Sequence, residues 1–130
     1  MMNYDIPNSI SQFQPQAKLL DFSDLDFQPH RGSADAVQAR LDLGNGLEIS
    51  VVANKGDGHG LYGNVSDDLY EVAIFDNNGM VPLSVADDVL GWQSPAQVSK
   101  HMRDAQLNGD AWVDLLKKSR KEFRDDLDLD

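Results

Sequence analysis

Val37-Gln38-Ala39-Arg40-Leu41-Asp42-Leu43-Gly44-Asn45-Gly46-Leu47-Glu48-Ile49-Ser50-Val51-Val52-Ala53 is the stretch whose pattern decides the fold. Val37, Ala39, Leu41 and Leu43 alternate with Gln38, Arg40 and Asp42. After Gly44-Asn45-Gly46, Leu47, Ile49, Val51 and Ala53 alternate with Glu48, Ser50 and Val52. Successive side chains of a strand point to opposite faces, so a period of two lays one apolar face on a core. Asn-Gly supplies the left-handed backbone that a tight hairpin turn requires. The stretch therefore predicts an antiparallel β-hairpin with one buried face.

Further strands follow. Tyr70–Asp76 (YEVAIFD) carries apolar residues on both faces, which predicts a central strand. Asn77-Asn78-Gly79 is a second hairpin turn, and Met80–Val85 returns as a strand in which Pro82 marks an edge or a bulge. Val89–Gln93 adds a short strand. Upstream, Leu25 and Phe27 alternate with Asp24 and Asp26, an edge-strand pattern ending at Pro29. Between the hairpin and the central strand, Lys55-Gly56-Asp57-Gly58-His59-Gly60-Leu61-Tyr62-Gly63-Asn64 is too glycine-rich for a helix and reads as a loop.

At Ser94 the period changes. Ser94 is an N-cap, Pro95 suits the first helical position and Gln97 completes a capping box. Val98, Met102 and Ala105 share one face of the helix, and Asn108-Gly109 stops it. Asp110 opens a second helix whose inner stripe is expected to be Trp112, Leu115, Leu116, Ser119 and Phe123. Asp114 and Lys118 form an expected i,i+4 pair. The fold class read from these elements is α+β, an antiparallel β-meander of four to five strands with one or two C-terminal helices. Residues 1–18, with three Gln and two Pro and no visible period, read as a flexible N-terminal arm. Residues 19–124 form a single domain, and residues 125–130 a disordered acidic tail.

Composition narrows the function. The 130 residues are 41% hydrophobic and 25% charged, a globular balance. Eleven basic against twenty-two acidic residues leave a net charge of −11. Such a chain lacks the positive field that direct nucleic-acid or anionic-membrane binding needs. The absence of cysteine excludes disulfides, thiolate metal sites and cysteine nucleophiles. No basic n-region precedes an apolar run, and no run approaches a membrane span, so a cytoplasmic location is expected. The charge is uneven. Residues 37–93 hold nine acids against two bases, whereas residues 94–124 hold four acids against seven bases.

Catalytic and cofactor signals are missing. The glycine loop lacks the Lys-Ser/Thr pair and following helix of a phosphate loop. His30, His59 and His101 have no ligand spacing, and Asp57 with His59 does not make a calcium loop. The pairs Asp67-Asp68 and Asp87-Asp88 fit turns better than a two-metal centre. No Gly-x-Ser-x-Gly elbow exists. The expectation is a non-enzyme without metal or cofactor. Trp92 and Trp112 read as core or staple residues.

The run Phe22-Ser23-Asp24-Leu25-Asp26-Phe27-Gln28-Pro29-His30, then Gln38-Ala39-Arg40-Leu41, Ile49-Ser50-Val51-Val52, Gly60-Leu61-Tyr62-Gly63, Tyr70-Glu71-Val72-Ala73-Ile74, Asp87-Asp88-Val89-Leu90-Gly91-Trp92 and Pro95-Ala96-Gln97-Val98, resembles in order and spacing a family of small accessory proteins of tailed bacteriophages. The likeness spans about residues 22–107. That family has no assigned activity, so no residue role is carried over. What the resemblance implies is action inside a bacterial host.

The expected function is a binding module that modulates a host or phage protein. Its contact residues are expected at the glycine loop, the longest irregular connection in the most acidic segment: Asp57, Asp67 and Asp68 with Tyr62 as anchor. Two alternatives are a DNA mimic that blocks a nucleic-acid-binding enzyme and a minor virion or scaffold component. A homodimer through the edge strand or the basic last helix is a further expectation.

Overall fold

The computed structural model describes residues 18–84 and 86–128. The arm expected at 1–18 therefore lies outside the described residues, apart from Lys18. In chain order the elements are a 3-10 turn at Phe22–Asp24, strands β1 Gln28–Pro29, β2 Ala36–Gly44 and β3 Leu47–Asn54, and a second 3-10 turn at Val65–Asp67. Strands β4 Tyr70–Asp76, β5 Gly79–Met80 and β6 Val89–Gln93 follow, then helix α1 Pro95–Asp128. The fold is α+β. One antiparallel sheet runs β1-β2-β3-β4-β5, and β6 pairs with β4.

The hairpin forms as its pattern requires. Leu41 pairs with Ile49 and Val37 with Ala53. Asn45 and Gly46 turn the chain at φ 56° and 74°. Leu47, Ile49, Val51 and Ala53 are buried, as are Val72 and Ile74 of the central β4. Val98, Met102 and Ala105 of α1 cover them. Each Leu, Ile, Val and Met among them contributes about 1.5–3 kcal/mol on full burial. Phe22, Phe27 and Tyr70 close one end of the core, with ring centroids 4.9 Å (Phe22–Tyr70) and 5.5 Å (Phe27–Tyr70) apart.

Local chemistry overrides four expectations. Phe22–Phe27 is not a strand. The Asp21 side chain accepts from the Ser23 N–H at 2.9 Å, and the Asp24 carboxylate accepts from the Asp21 N–H at 2.8 Å. This capping box closes a 3-10 turn, and the edge strand comes later at Gln28–Pro29. Of the strand expected at Met80–Val85 only Met80 is in a strand, β5; Val85 lies outside the described residues. Val81 N–H donates to Ile74 at 2.7 Å, then Pro82 brings no N–H, and Ser84 Oγ accepts from Asp87 N–H at 2.9 Å to fold the chain away. Of the tail expected to be disordered at 125–130, residues 125–128 are helical, since α1 continues to Asp128 with Lys121 paired to Asp125 at 2.9 Å; residues 129–130 lie outside the described residues. Asp114 and Lys118 do not pair; the i,i+4 bridges are Lys100–Asp104 and Lys121–Asp125.

The Ser94 cap and the break at Gly109 both form. Ser94 Oγ accepts from Gln97 N–H at 3.2 Å, and Gln97 Oε1 accepts from Ser94 N–H at 2.8 Å. Gly109 sits at φ 45°, ψ −120°, dividing α1 into two stretches. The second stretch bears out part of the expected inner stripe. Trp112 and Leu116 pack on the core with Val113 buried beside them, while Leu115 (61% exposed), Ser119 and Phe123 face solvent. Lys117 bridges to Asp76 at 3.1 Å, and Arg120 pairs with Asp88 while donating to the Ser84 carbonyl at 2.8 Å. These bridges, made by side chains left and right of Val113 and Leu116, fix which face meets the sheet.

Candidate functional site: a cleft walled by the glycine loop and Trp92

Strand β3 ends at Asn54, the one buried polar residue of the described core. Its side-chain amide donates to the Leu61 carbonyl at 2.9 Å and the Gly63 carbonyl at 2.8 Å. Its backbone N–H donates to Gly63 as well, at 3.0 Å. The returning limb of the glycine loop is thus pinned to the end of the sheet. Asn64 continues the work: its Oδ1 accepts from Ser66 N–H and Oγ, and its amide group donates to Gly56. Gly63 has to be glycine, because a Cβ there would lie 2.6 Å from the Leu69 carbonyl oxygen. Gly58 and Gly63 thus serve close packing, whereas Gly56 and Gly60 supply positive φ, 58° and 106°, in open space.

Strand β6 brings the opposite wall. Gly91 approaches Tyr62 so closely that a Cβ would sit 2.4 Å from the Tyr62 Cβ. Trp92 N–H then donates to the Tyr62 carbonyl at 2.7 Å, and Tyr62 N–H donates to the Glu71 carboxylate at 2.9 Å. The result is a cleft of about 450 Å³. Asn54, Gly58, His59, Gly60, Leu61, Tyr62, Asn64, Asp67 and Trp92 line it. Tyr62 is 62% and Trp92 52% exposed.

Trp92 is the unusual member. It holds φ 55°, the left-handed region, which is a genuine outlier for a bulky side chain. That conformation costs about 1–2 kcal/mol. Such strain persists where the surroundings over-determine it, and it concentrates at binding and catalytic sites. Here the surroundings are the Tyr62 hydrogen bond on one side and the helix cap at Ser94 on the other.

Of the four residues expected at the site, Tyr62 and Asp67 line the cleft. Asp57 is exposed on the same loop but is not part of the lining. Asp68 belongs to another structure: at φ 54° its carboxylate accepts from the Tyr70 hydroxyl at 2.9 Å. Burial, aided by that acceptor, pushes the Tyr70 phenol up to about 12. Trp92 and Asn54 are the residues that sequence reasoning missed. A Gly-Trp step directly before a helix cap was the available signal for Trp92. An asparagine at the junction of strand and glycine loop was the signal for Asn54.

Among the described residues no group of three or more His, Asp or Glu is placed to hold a metal ion. None of their helices is long and apolar enough to cross a membrane. The sheet face turned from α1 does not present a row of acids. Asp42, Glu48 and Glu71 are interleaved there with Arg40, Ser50, Ala73 and Phe75 by the pairing register. Arg40 pairs with Glu48 at 2.6 Å and lies over the Phe75 ring. Comparison with protein-family models, with curated proteins and with solved structures gives no match for this chain.

Proposed function

We propose that this protein is a non-enzymatic binding module that docks a partner protein in the glycine-loop cleft. Trp92 and Tyr62 are the anchors, and Asp57 and Asp67 form a charged rim that steers approach. The observation that carries the reading is Trp92, a large aromatic side chain half exposed and held in left-handed backbone beside a preformed cleft. Tryptophan and tyrosine dominate the energetic centres of protein interfaces, since each buries much area at little loss of freedom. A cleft fixed by backbone hydrogen bonds adds preorganisation. The interleaved charges of the open sheet face favour this reading over a DNA mimic, which needs carboxylates in a phosphate-like row. In this proposal the partner is a host or phage protein in the cytoplasm of a bacterial host, which is what the resemblance to accessory proteins of tailed bacteriophages implies.

Capture from bacterial lysate by the immobilised full chain, washed at rising salt, tests the proposal. Trp92→Ser and Tyr62→Ser should each lower recovery of a stoichiometric partner at least about tenfold. Leu115→Ser, an equally exposed apolar residue on the helix, should leave recovery unchanged. Asp57→Asn and Asp67→Asn should slow association at low salt. Equal recovery with all the variants, or no partner at any salt, contradicts the proposal.

A further inference from the structure

Resting on the docking reading above, we infer that the cleft takes a proline-rich segment of the partner in the polyproline II conformation. The hydrogen-bonding groups of the cleft divide unevenly. Among the described residues no acceptor partners the Trp92 indole N–H, the Tyr62 hydroxyl or the backbone N–H groups of His59, Gly60 and Leu61. The carbonyls of Leu61, Tyr62 and Gly63, by contrast, already accept from Asn54 and Trp92. Asn64 Oδ1 accepts from Ser66. What the cleft presents is a set of donors, two aromatic faces, the His59 ring and one carboxylate, Asp67. Neither Tyr62 nor Trp92 stacks on another aromatic ring among the described residues, so both faces are open to a ligand.

A ligand for this surface brings acceptors and an apolar face. An anion would suit the N–H groups, but Asp67 lines the cleft beside them and no Lys or Arg does. The complement is therefore a neutral acceptor, a carbonyl. An ordinary residue carries an N–H with each carbonyl, and that donor needs a partner of its own once buried. Proline has the carbonyl without the N–H. Its saturated ring packs on an aromatic face, while the donor at the edge of the same side chain, indole N–H or phenol O–H, meets the neighbouring carbonyl. Polyproline II makes no internal hydrogen bonds, so its carbonyls are free to accept. Aromatic-lined grooves bind such segments because the ligand is already ordered. Here the cleft is ordered too, held by Asn54 and by the close approach of Gly91 to Tyr62.

The experiment is a titration of the full chain, followed by amide and indole NMR signals. The probe is acetyl-hexaproline amide. The control is a blocked Gly-Ser peptide of the same length, flexible and with an N–H on every residue. Hexaproline should shift the Trp92 indole N–H and the amides of 59–61 saturably, at least about fivefold more tightly than the control. Tyr62→Phe and Trp92→Phe keep an aromatic face and remove the edge donor; each should weaken hexaproline about fivefold. Asp67→Asn should leave this uncharged probe unchanged. Trp92→Gly, which keeps the left-handed backbone without strain, should abolish the response. Equal binding of the two peptides, indifference to both Phe variants, or the same signals moved by cellobiose and not by hexaproline each overturn the inference. If Trp92→Ser abolishes partner capture while hexaproline leaves the cleft unmoved, the proline-rich ligand falls and the docking reading stands. If neither responds, both fall.

Discussion

Two cavities of nearly equal size open on this protein, and they are built in opposite ways. The cleft at the glycine loop, about 450 Å³, is shaped by backbone contacts and by an asparagine that binds carbonyls. Its aromatic side chains are left facing solvent. The hollow beside the second stretch of α1, about 440 Å³, is lined by Pro82, Lys117, Arg120, Lys121, Arg124 and Asp125. There Lys117, Arg120 and Lys121 are paired with Asp76, Asp88 and Asp125 of the same chain. The first cavity holds its shape without using its recognition groups. The second uses its charges to fasten the helix. Size alone would rank the two together; what separates them is that the second is lined by four basic residues, three of them already paired within the chain.

The comparison can be broken most forcefully at Gly63. Gly63→Ala forces a Cβ against the Leu69 carbonyl and the Tyr70 backbone, with no side chain free to yield. A loss of about 3 kcal/mol is expected in denaturant unfolding. An unchanged midpoint would mean that the loop is loose and the cleft not preformed. Next comes Arg120→Ala. It removes a largely buried guanidinium that joins α1 to Asp88 and Ser84. About 2 kcal/mol should be lost, with the cleft and its ligand response intact.

Tyr70→Phe gives a smaller effect and a pH signature. At pH 7 it loses the hydrogen bond to Asp68, about 1 kcal/mol. In the native protein the phenol is raised from 10.0 to about 12, so the fold favours its protonated form. That stabilisation is complete below the unfolded value near 10. It is lost as pH climbs from there through about 12. The alkaline decline in stability should be shallower in Tyr70→Phe; a superimposable decline would exclude Tyr70 as its source. Smallest is Leu115→Ser, on the exposed stripe of α1, which should change stability by no more than about 0.5 kcal/mol. A larger loss would show that the stripe is covered in solution.

The strands and the helix cap were legible because their signals are local. Period-two alternation around Asn45-Gly46 and the run YEVAIFD specify their own conformations, and Ser94 with Gln97 specifies the helix start. Phe22–Phe27 misled because alternation over four residues is also what a 3-10 turn with apolar flanks produces. Asp21 and Asp24, one residue outside that window and one inside it, decided the outcome. Of the expected stripe Trp112, Leu115, Leu116, Ser119 and Phe123, Trp112 and Leu116 do pack on the core. The kink at Gly109 and the bridges of Lys117 and Arg120 bring Val113 inward with them and leave Leu115, Ser119 and Phe123 in solvent. The cleft was half legible. The glycine loop, Tyr62 and Asp67 were marked by composition and position. Trp92 stands thirty residues from Tyr62 and meets it only through the pairing of β6 with β4, which no local pattern encodes.

The central claim is that Trp92 is held in strained backbone for recognition and not for stability. Trp92→Gly tests it most directly, with thermal unfolding and partner capture measured on the same preparation. Glycine relieves about 1–2 kcal/mol of left-handed strain, which offsets the lost contacts of a half-exposed ring. The account predicts an unfolding midpoint unchanged or raised, with capture abolished. Capture retained, or a midpoint that falls by several degrees, would contradict it.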